Sequence, residues 1–245
     1  MPLRGGGLWH QGATQASAQS RILHAGRMSR NGQRQNLVVI KELELILDSC
    51  TLELTPVDEV WPNLYIGNVA VAQNKNRLHK LSITHVLNAA HSKQGSIGDQ
   101  SFYGSTCVYF GIPAEDSDHF DLSQYFKSAT DFIHKALKSK DGTLYFTNIL
   151  SKIKFSFPFS LTFFFFLLLL LFFSTGKVLV HCIMGVSRSA TLVLAYLMLR
   201  HRFSLRDALR HVVKKRAIYP NRNFLTLLLK LDEELTQKRM LCPVL

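Results

Sequence analysis

The sequence predicts an α/β fold: one domain with a mostly parallel central sheet flanked by helices. Three observations point there. Short runs rich in β-branched and aromatic residues (Thr84-His-Val-Leu-Asn88, Cys107-Val-Tyr-Phe-Gly111, Val178-Leu-Val-His181) alternate with stretches of helical periodicity, as in a sheet whose strands are joined by crossover helices. A hydrophobic content of 47% over 245 residues supplies one core. The run Val178–His181 passes through a tight loop into Thr191-Leu-Val-Leu-Ala-Tyr-Leu-Met-Leu199, which is apolar on nearly all sides, the mark of a buried central helix. That loop opens on Cys182, and Arg188 follows after five intervening residues. In such sheets the loops that do chemistry collect at the carboxyl ends of the strands.

Taken in order, residues 1–41 hold six basic residues (Arg4, Arg21, Arg27, Arg30, Arg34, Lys41) and no acid before Glu42. Gly, Ser, Gln and Ala dominate, and no apolar run follows the start. The expectation is a disordered basic tail rather than a secretory signal. Residues 42–56 are expected as a short helix and linker, since Leu37–Leu54 is amphipathic. The domain proper covers 57–238, and 239–245 is a tail, fraying from Leu235. Asn63-Leu-Tyr-Ile-Gly67 is a short strand ended by glycine. Asn68 starts a helix through Lys80 with Val69, Ala72 and Leu78 inward. Thr84–Asn88 and Cys107–Gly111 are strands, separated by a polar loop from His91 to Gly104. Asp121 is placed to cap a helix to Lys138, whose inner face is Phe126, Ala129, Phe132, Ile133 and Leu137. After the central helix Ala190–Arg200, Ser204-Leu-Arg-Asp207 opens a helix to Arg216. Ala217-Ile-Tyr-Pro220-Asn221 breaks it, and Asn221 starts a last helix with Phe224, Leu225, Leu228 and Leu231 on one face.

The loop after His181 suits one chemistry. In a tight turn over a helix start, backbone N–H groups converge on one point and cradle an anion. The same field favours a thiolate over a thiol. An arginine adds a planar fork that grips two oxygens of a phosphate. Thiolate, cradle and fork together describe a phosphate-binding nucleophile. His181-Cys182-x5-Arg188-Ser189 resembles the signature of the cysteine-based protein phosphatases. The stretch Gly185-Val-Ser-Arg-Ser-Ala-Thr-Leu-Val-Leu-Ala-Tyr-Leu-Met198 resembles their atypical dual-specificity branch, and its muscle-restricted form most of all. The likeness runs from Val57 to Glu234, with one interruption.

This resemblance implies a single phosphatase domain that hydrolyses phosphotyrosine and phosphoserine or phosphothreonine in proteins through a phosphocysteine intermediate. Cys182 is then the nucleophile. The backbone of Ile183, Met184, Gly185, Val186, Ser187 and Arg188, with the Arg188 guanidinium, holds the phosphate. Ser189 eases departure of the thiolate, and His181 orients the cysteine. The leaving oxygen needs a proton donor, usually a carboxyl held over the site. Glu115, Asp116, Asp118 and Asp121 all lie in the loop Ile112–Asp121, and spacing alone does not choose among them. The resemblance assigns the role to Asp116, leaving Asp121 as a helix cap and Asp118 in solvent. Asn221 has two compatible readings, a plain helix cap and a support for the catalytic loop. No cofactor is implied. No metal is implied either, because His181 has no partner ligands. Phosphorylated proteins are the expected partners, mitogen-activated protein kinases among them, in the cytoplasm and also the nucleus.

Composition removes other classes. Cys50, Cys107, Cys182 and Cys242 show neither paired nor metal-like spacing, which argues for a reducing compartment rather than a disulfide scaffold. The net charge of +12 fits nucleic acid, an acidic membrane surface or anionic phosphoproteins alike, or belongs to the tails. Without aromatic and basic residues interleaved, nucleic acid is not expected as a partner. The pattern carries no signal for an oligomeric state.

The interruption is Thr143–Gly176. It holds ten of the seventeen phenylalanines and two charges, Lys152 and Lys154. Three readings compete. Phe155–Phe173 is 19 nearly apolar residues, enough to span ~28 Å of a bilayer. A single crossing would put Cys182 and Asp116 on opposite sides of the membrane and split one sheet, so a membrane partner is not expected. A surface insertion would expose a large apolar patch. A translated retained intron, or a gene-model artefact, accounts for a tract whose codons are pyrimidine-rich, and removing it leaves Asp141-Gly142-Lys177-Val178 in frame with the resemblance. Two alternative functions follow from the segment: a phosphoprotein-binding or scaffold protein with impaired turnover, and a membrane-anchored protein.

Overall fold

A computed structural model of the chain describes residues 35–93, 95–96, 98–139 and 175–241. The basic tail as far as residue 34, nearly all of the interruption (143–174) and residues 242–245 lie outside the described residues. Residues 1–42 group as one unit and Leu43–Leu245 as another. In the first, residues 35–42 are helical. The tail expected to reach residue 41 therefore gives way to helix earlier, in α1 (35–48). Within the second unit Leu43 and Leu47, four apart on one helix face, are buried. Glu44 pairs with Arg222 at 2.6 Å.

The sheet has five strands in the order β1-β2-β5-β3-β4: β1 (Val57–Trp61), β2 (Leu64–Gly67), β3 (His85–Asn88), β4 (Val108–Gly111) and β5 (Val178–His181). Only the β1–β2 pair is antiparallel. Its hairpin turns on Pro62-Asn63, where Asn63 takes φ 62°, a conformation asparagine tolerates better than most residues. Strand β1 was not expected. An edge strand can carry both acids of Val57-Asp-Glu-Val-Trp61: Glu59 is exposed, while Asp58, on the same face as the buried Val60, is paired with Arg216. The central position of β5 is the feature that matters for the site. All four of its residues are buried, as are those of β2 and β3 on either side, a pattern proper to a parallel sheet covered on both faces.

The helices adjust the sequence reading at their ends. The single helix expected from Asn68 to Lys80 is two, α2 (Val69–Ala72) and α3 (Lys75–Leu81). Asn74 accepts the Arg77 N–H at 3.0 Å and caps the second, a role asparagine fills better than a helix interior. The polar loop His91–Gly104 contains α4 (Gln100–Tyr103), capped by Asp99 on the Phe102 N–H at 3.0 Å. Its Tyr103 is buried and donates to Ala72 O at 3.1 Å. Asp121 caps a 3-10 turn, Leu122–Tyr125, which leads into α5 (Phe126–Lys138). The central helix α6 (Arg188–His201) is buried from Arg188 to Met198. Each Leu or Val removed from water there contributes about 1.5–3 kcal/mol. Helix α7 (Leu205–Val213) stops short of Arg216. Helix α8 (Arg222–Leu241) runs past the fraying expected from Leu235 and into the stretch read as a tail. Lys238 and Arg239 in its last turn complement the helix dipole.

Candidate active site

Strand β5 delivers its last residue between two partners. His181 stands opposite Gly67 of β2 and Asn88 of β3. The Ala89 N–H donates to His181 O at 2.7 Å and the Val69 N–H to Ile183 O at 3.0 Å. The chain beyond β5 is thus pinned to the tips of both neighbouring strands before it turns into α6. Gly185 makes that turn. Its φ is 73°, and a Cβ there would stand 2.4 Å from Gly67 O, so both the conformation and the space require glycine.

Inside the loop Cys182 is 2% exposed. The Gly185 N–H donates to its Sγ at 3.2 Å, and Ser189 Oγ lies 3.4 Å from the same sulfur. Arg188 is the first residue of α6 and is buried. Its Nη1 donates to Ala114 O at 3.1 Å. Its Nε has no hydrogen-bond acceptor; the Asp116 carboxylate is 3.4 Å away. A buried donor of this kind, at the mouth of an N–H-lined loop, is a fork waiting for an anion. Ser187 O accepts both the Thr191 N–H and the Thr191 hydroxyl at 2.9 Å. Val186 O accepts the Tyr219 N–H at 2.9 Å. Met184 is 62% exposed at the rim.

Among the four candidate carboxylates, Asp116 is the one tied to this loop. Its Oδ1 accepts from the Ser187 hydroxyl and from Asn221 Nδ2, each at 2.8 Å. Asp121 accepts the Ser123 N–H at 3.0 Å as a cap, Asp118 is exposed, and Glu115 pairs with Lys93 at 2.8 Å. Asn221 Oδ1 accepts the Phe224 N–H at 2.8 Å as a cap of α8, while its Nδ2 donates to Asp116.

His181 is buried, and burial pushes its imidazole down to about 4, against a smaller opposing effect of the Cys182 carbonyl. Nδ1 lies 3.2 Å from Cys182 O, so the ring steadies the backbone of Cys182 and is neutral at physiological pH. The consequence for stability is one-sided. Above the ordinary histidine value of about 6.5 folded and unfolded chains are both neutral. As pH falls towards 4, the unfolded chain takes a proton that the folded one refuses. The fold should lose about 3 kcal/mol over that window. Urea unfolding at pH 7 and pH 4.5 measures it: His181→Gln should flatten the loss, and identical slopes in both proteins would refute the assignment.

Three contributors escaped the sequence reading. The Ala114 carbonyl is a backbone group and leaves no mark in residue identity. Asp58 sits in β1, a strand the sequence pattern does not announce. Arg216 ends the run Lys214-Lys215-Arg216, which looks solvated; only the two lysines are exposed, and Arg216 is 1% exposed. Among the described residues no cluster of three or more His, Cys, Asp or Glu could hold a metal. No helix among them is long and apolar enough to cross a membrane.

Comparison with known proteins meets this geometry at the same loop. The dual specificity phosphatase catalytic domain matches residues 172–234. Dual specificity protein phosphatase 26 of Rattus norvegicus is 42% identical over 196 residues, 80% of this chain and 76% of that protein. The Homo sapiens protein of the same name gives the same figures. The crystal structure of human DUSP28 superposes with a TM-score of 0.53 at 21% identity, covering 75% of this chain and 97% of that one, a likeness of fold. These relatives favour neither a scaffold without turnover nor a membrane-anchored protein. The chain belongs to the atypical dual-specificity protein phosphatases, hydrolases whose substrates are phosphorylated proteins.

Proposed function

We propose that Cys182 attacks the phosphorus of a phosphotyrosine, phosphoserine or phosphothreonine and forms a phosphocysteine. The S–P bond forms as the P–O bond to the leaving residue breaks. Asp116 gives the departing oxygen its proton. The amides of residues 183–188 and the Arg188 fork carry the charge on the three equatorial oxygens. Water then attacks the phosphocysteine, Asp116 takes its proton, and phosphate leaves as the thiolate is restored with a hydrogen bond from Ser189. The observation that carries this reading is Arg188: buried beside the Cys182 loop, anchored to Ala114 O, and with its Nε in no hydrogen bond and facing the Asp116 carboxylate at 3.4 Å. On the family likeness we further propose mitogen-activated protein kinases as substrates, in the cytoplasm and nucleus.

We also propose that the phosphatase domain, 57–238, does not need residues 143–176. The two flanks support it. The Gly176 N–H donates to Ser139 O at 3.1 Å. With 143–176 removed the chain reads Ser139-Lys140-Asp141-Gly142-Lys177, and Gly142 takes the place of Gly176. The same bond becomes the first-to-fourth bond of a β-turn with serine first and glycine fourth, both favoured in type I turns. Glycine is needed there, because a Cβ on Gly176 would stand 2.3 Å from Ala136 O. The test compares the full chain with the shortened one on phosphotyrosyl and phosphothreonyl peptides. The shortened chain should hydrolyse both, with kcat/KM at least equal to that of the full chain. A folded shortened chain that hydrolyses neither would overturn both proposals.

A further inference from the structure

We infer that Arg216 is a positioning residue for the anion-binding loop: its buried guanidinium, held by Asp58 and Thr55, fixes the Gly185–Val186 peptide behind Cys182. This rests on the reading of that loop as the phosphate site. Arg216 Nε donates to Gly185 O at 2.9 Å. Nη1 donates to Thr55 O at 2.9 Å and to Asp58 Oδ2 at 2.6 Å. Asp58 Oδ2 also accepts the Thr55 hydroxyl at 2.6 Å. The side chain is fully buried and that of Asp58 is 23% exposed. Desolvating a guanidinium costs several kcal/mol. One close carboxylate and two carbonyls offset that cost only if the group stays where they are.

What it holds is the pivot of the loop. The Gly185 N–H is the one that reaches Cys182 Sγ. Its carbonyl, on the following peptide, is the acceptor for Arg216. A trans peptide sets C=O and N–H on opposite sides of a rigid plane. Gripping the Gly185 carbonyl from behind therefore turns the Val186 N–H forward, towards the phosphate. Arg216 Nη2 has no hydrogen-bond partner and lies 2.8 Å from where a Cβ on Gly185 would be. The guanidinium thus lies flush against the glycine and leaves that peptide no room to rotate. The donors are set before the substrate arrives, so no reorganisation is required as charge develops in the transition state. The contact also joins residues 55–58, in and just before the edge strand, to the catalytic loop, 161 and 158 positions apart from Arg216.

Arg216→Met, Arg216→Lys and Asp58→Asn test this. Each is followed by thermal unfolding, by kcat and KM on p-nitrophenyl phosphate, and by the inhibition constant of orthovanadate. Turnover by the parent chain is measured first, so an inactive parent fails the functional reading and leaves the clamp to be judged on vanadate binding. Arg216→Met should lower kcat about 30- to 100-fold and weaken vanadate by a similar factor, with KM moving less than threefold. Arg216→Lys, which keeps the charge without the fork, and Asp58→Asn, which keeps the fork without its counter-ion, should fall between. An inhibition constant does not depend on how much of the enzyme is folded, so a merely structural role would leave it unchanged. Parent-like kcat and vanadate inhibition in the folded Arg216→Met protein would overturn the inference. Should that variant not fold, parent-like vanadate inhibition in both other variants would do so.

Discussion

Cys182→Ser is expected to abolish turnover, by on the order of 10⁴-fold or more, while affinity for phosphate stays near that of the parent chain. The size follows from what surrounds the sulfur. Its neighbours are the Gly185 N–H and the Ser189 hydroxyl, at 3.2 Å and 3.4 Å. Both can stabilise an existing anion; neither can remove a proton from a hydroxyl. Neither ring nitrogen of His181 hydrogen-bonds that position, since Nδ1 faces the Cys182 carbonyl and Nε2 has no hydrogen-bond partner, so no base is in place to take the proton. A thiol is in itself a far stronger acid and better nucleophile than a serine hydroxyl. A loss of 10⁴ corresponds to about 5.5 kcal/mol of activation free energy. The phosphate cradle is made of backbone and Arg188, so the exchange of sulfur for oxygen leaves it in place. Rapid acid quench should trap phosphate on Cys182 of the parent and none on the variant. Residual turnover within tenfold of the parent would sink the mechanism.

The loop from His181 to Ser189 was legible because it is contiguous. A strand, a glycine with positive φ and a helix start fix its geometry from neighbouring residues. Asp116 was singled out only through family likeness, because its ties to the loop run through Ser187 and Asn221, 71 and 105 positions away. Arg216 was hidden for the same reason, as its partners Gly185 and Asp58 are 31 and 158 positions distant. A basic run beside an apolar helix says nothing about which member turns inward. The sheet was readable where strands are buried on both faces, as in β3 and β5. It was unreadable at β1, where pairing with β2 supplies the order that side-chain pattern does not. Local signals miscounted helices wherever a side chain offered a cap, as Asn74 and Asp99 do.

Asp116→Ala should separate substrates by leaving group. On a phosphothreonyl peptide, whose alkoxide departs poorly without a proton, kcat/KM should fall about 10²- to 10³-fold. On p-nitrophenyl phosphate, whose leaving group needs no proton, the fall should stay under about tenfold, because what is lost there is positioning alone. The neighbouring acids are poor replacements. Glu115 is engaged by Lys93 at 2.8 Å, whose hydrogen bond holds it below the usual carboxylate range. Asp121 is committed to the Ser123 N–H and hydroxyl. Asn221→Ala should show the same leaving-group dependence in weaker form, since Asn221 acts on the reaction through Asp116. Equal losses on both substrates would move the acid role to another carboxylate. A loss on the threonyl peptide alone would mean that Arg188, the remaining charged partner of Asp116 at 3.4 Å, holds phosphate equally well without it. Asp116 Oδ2 faces Arg188 Nε at 3.4 Å while its Oδ1 is held by Ser187 and Asn221; on the proposed mechanism a phosphate that engages Arg188 leaves the carboxyl on those two partners, ready to give its proton.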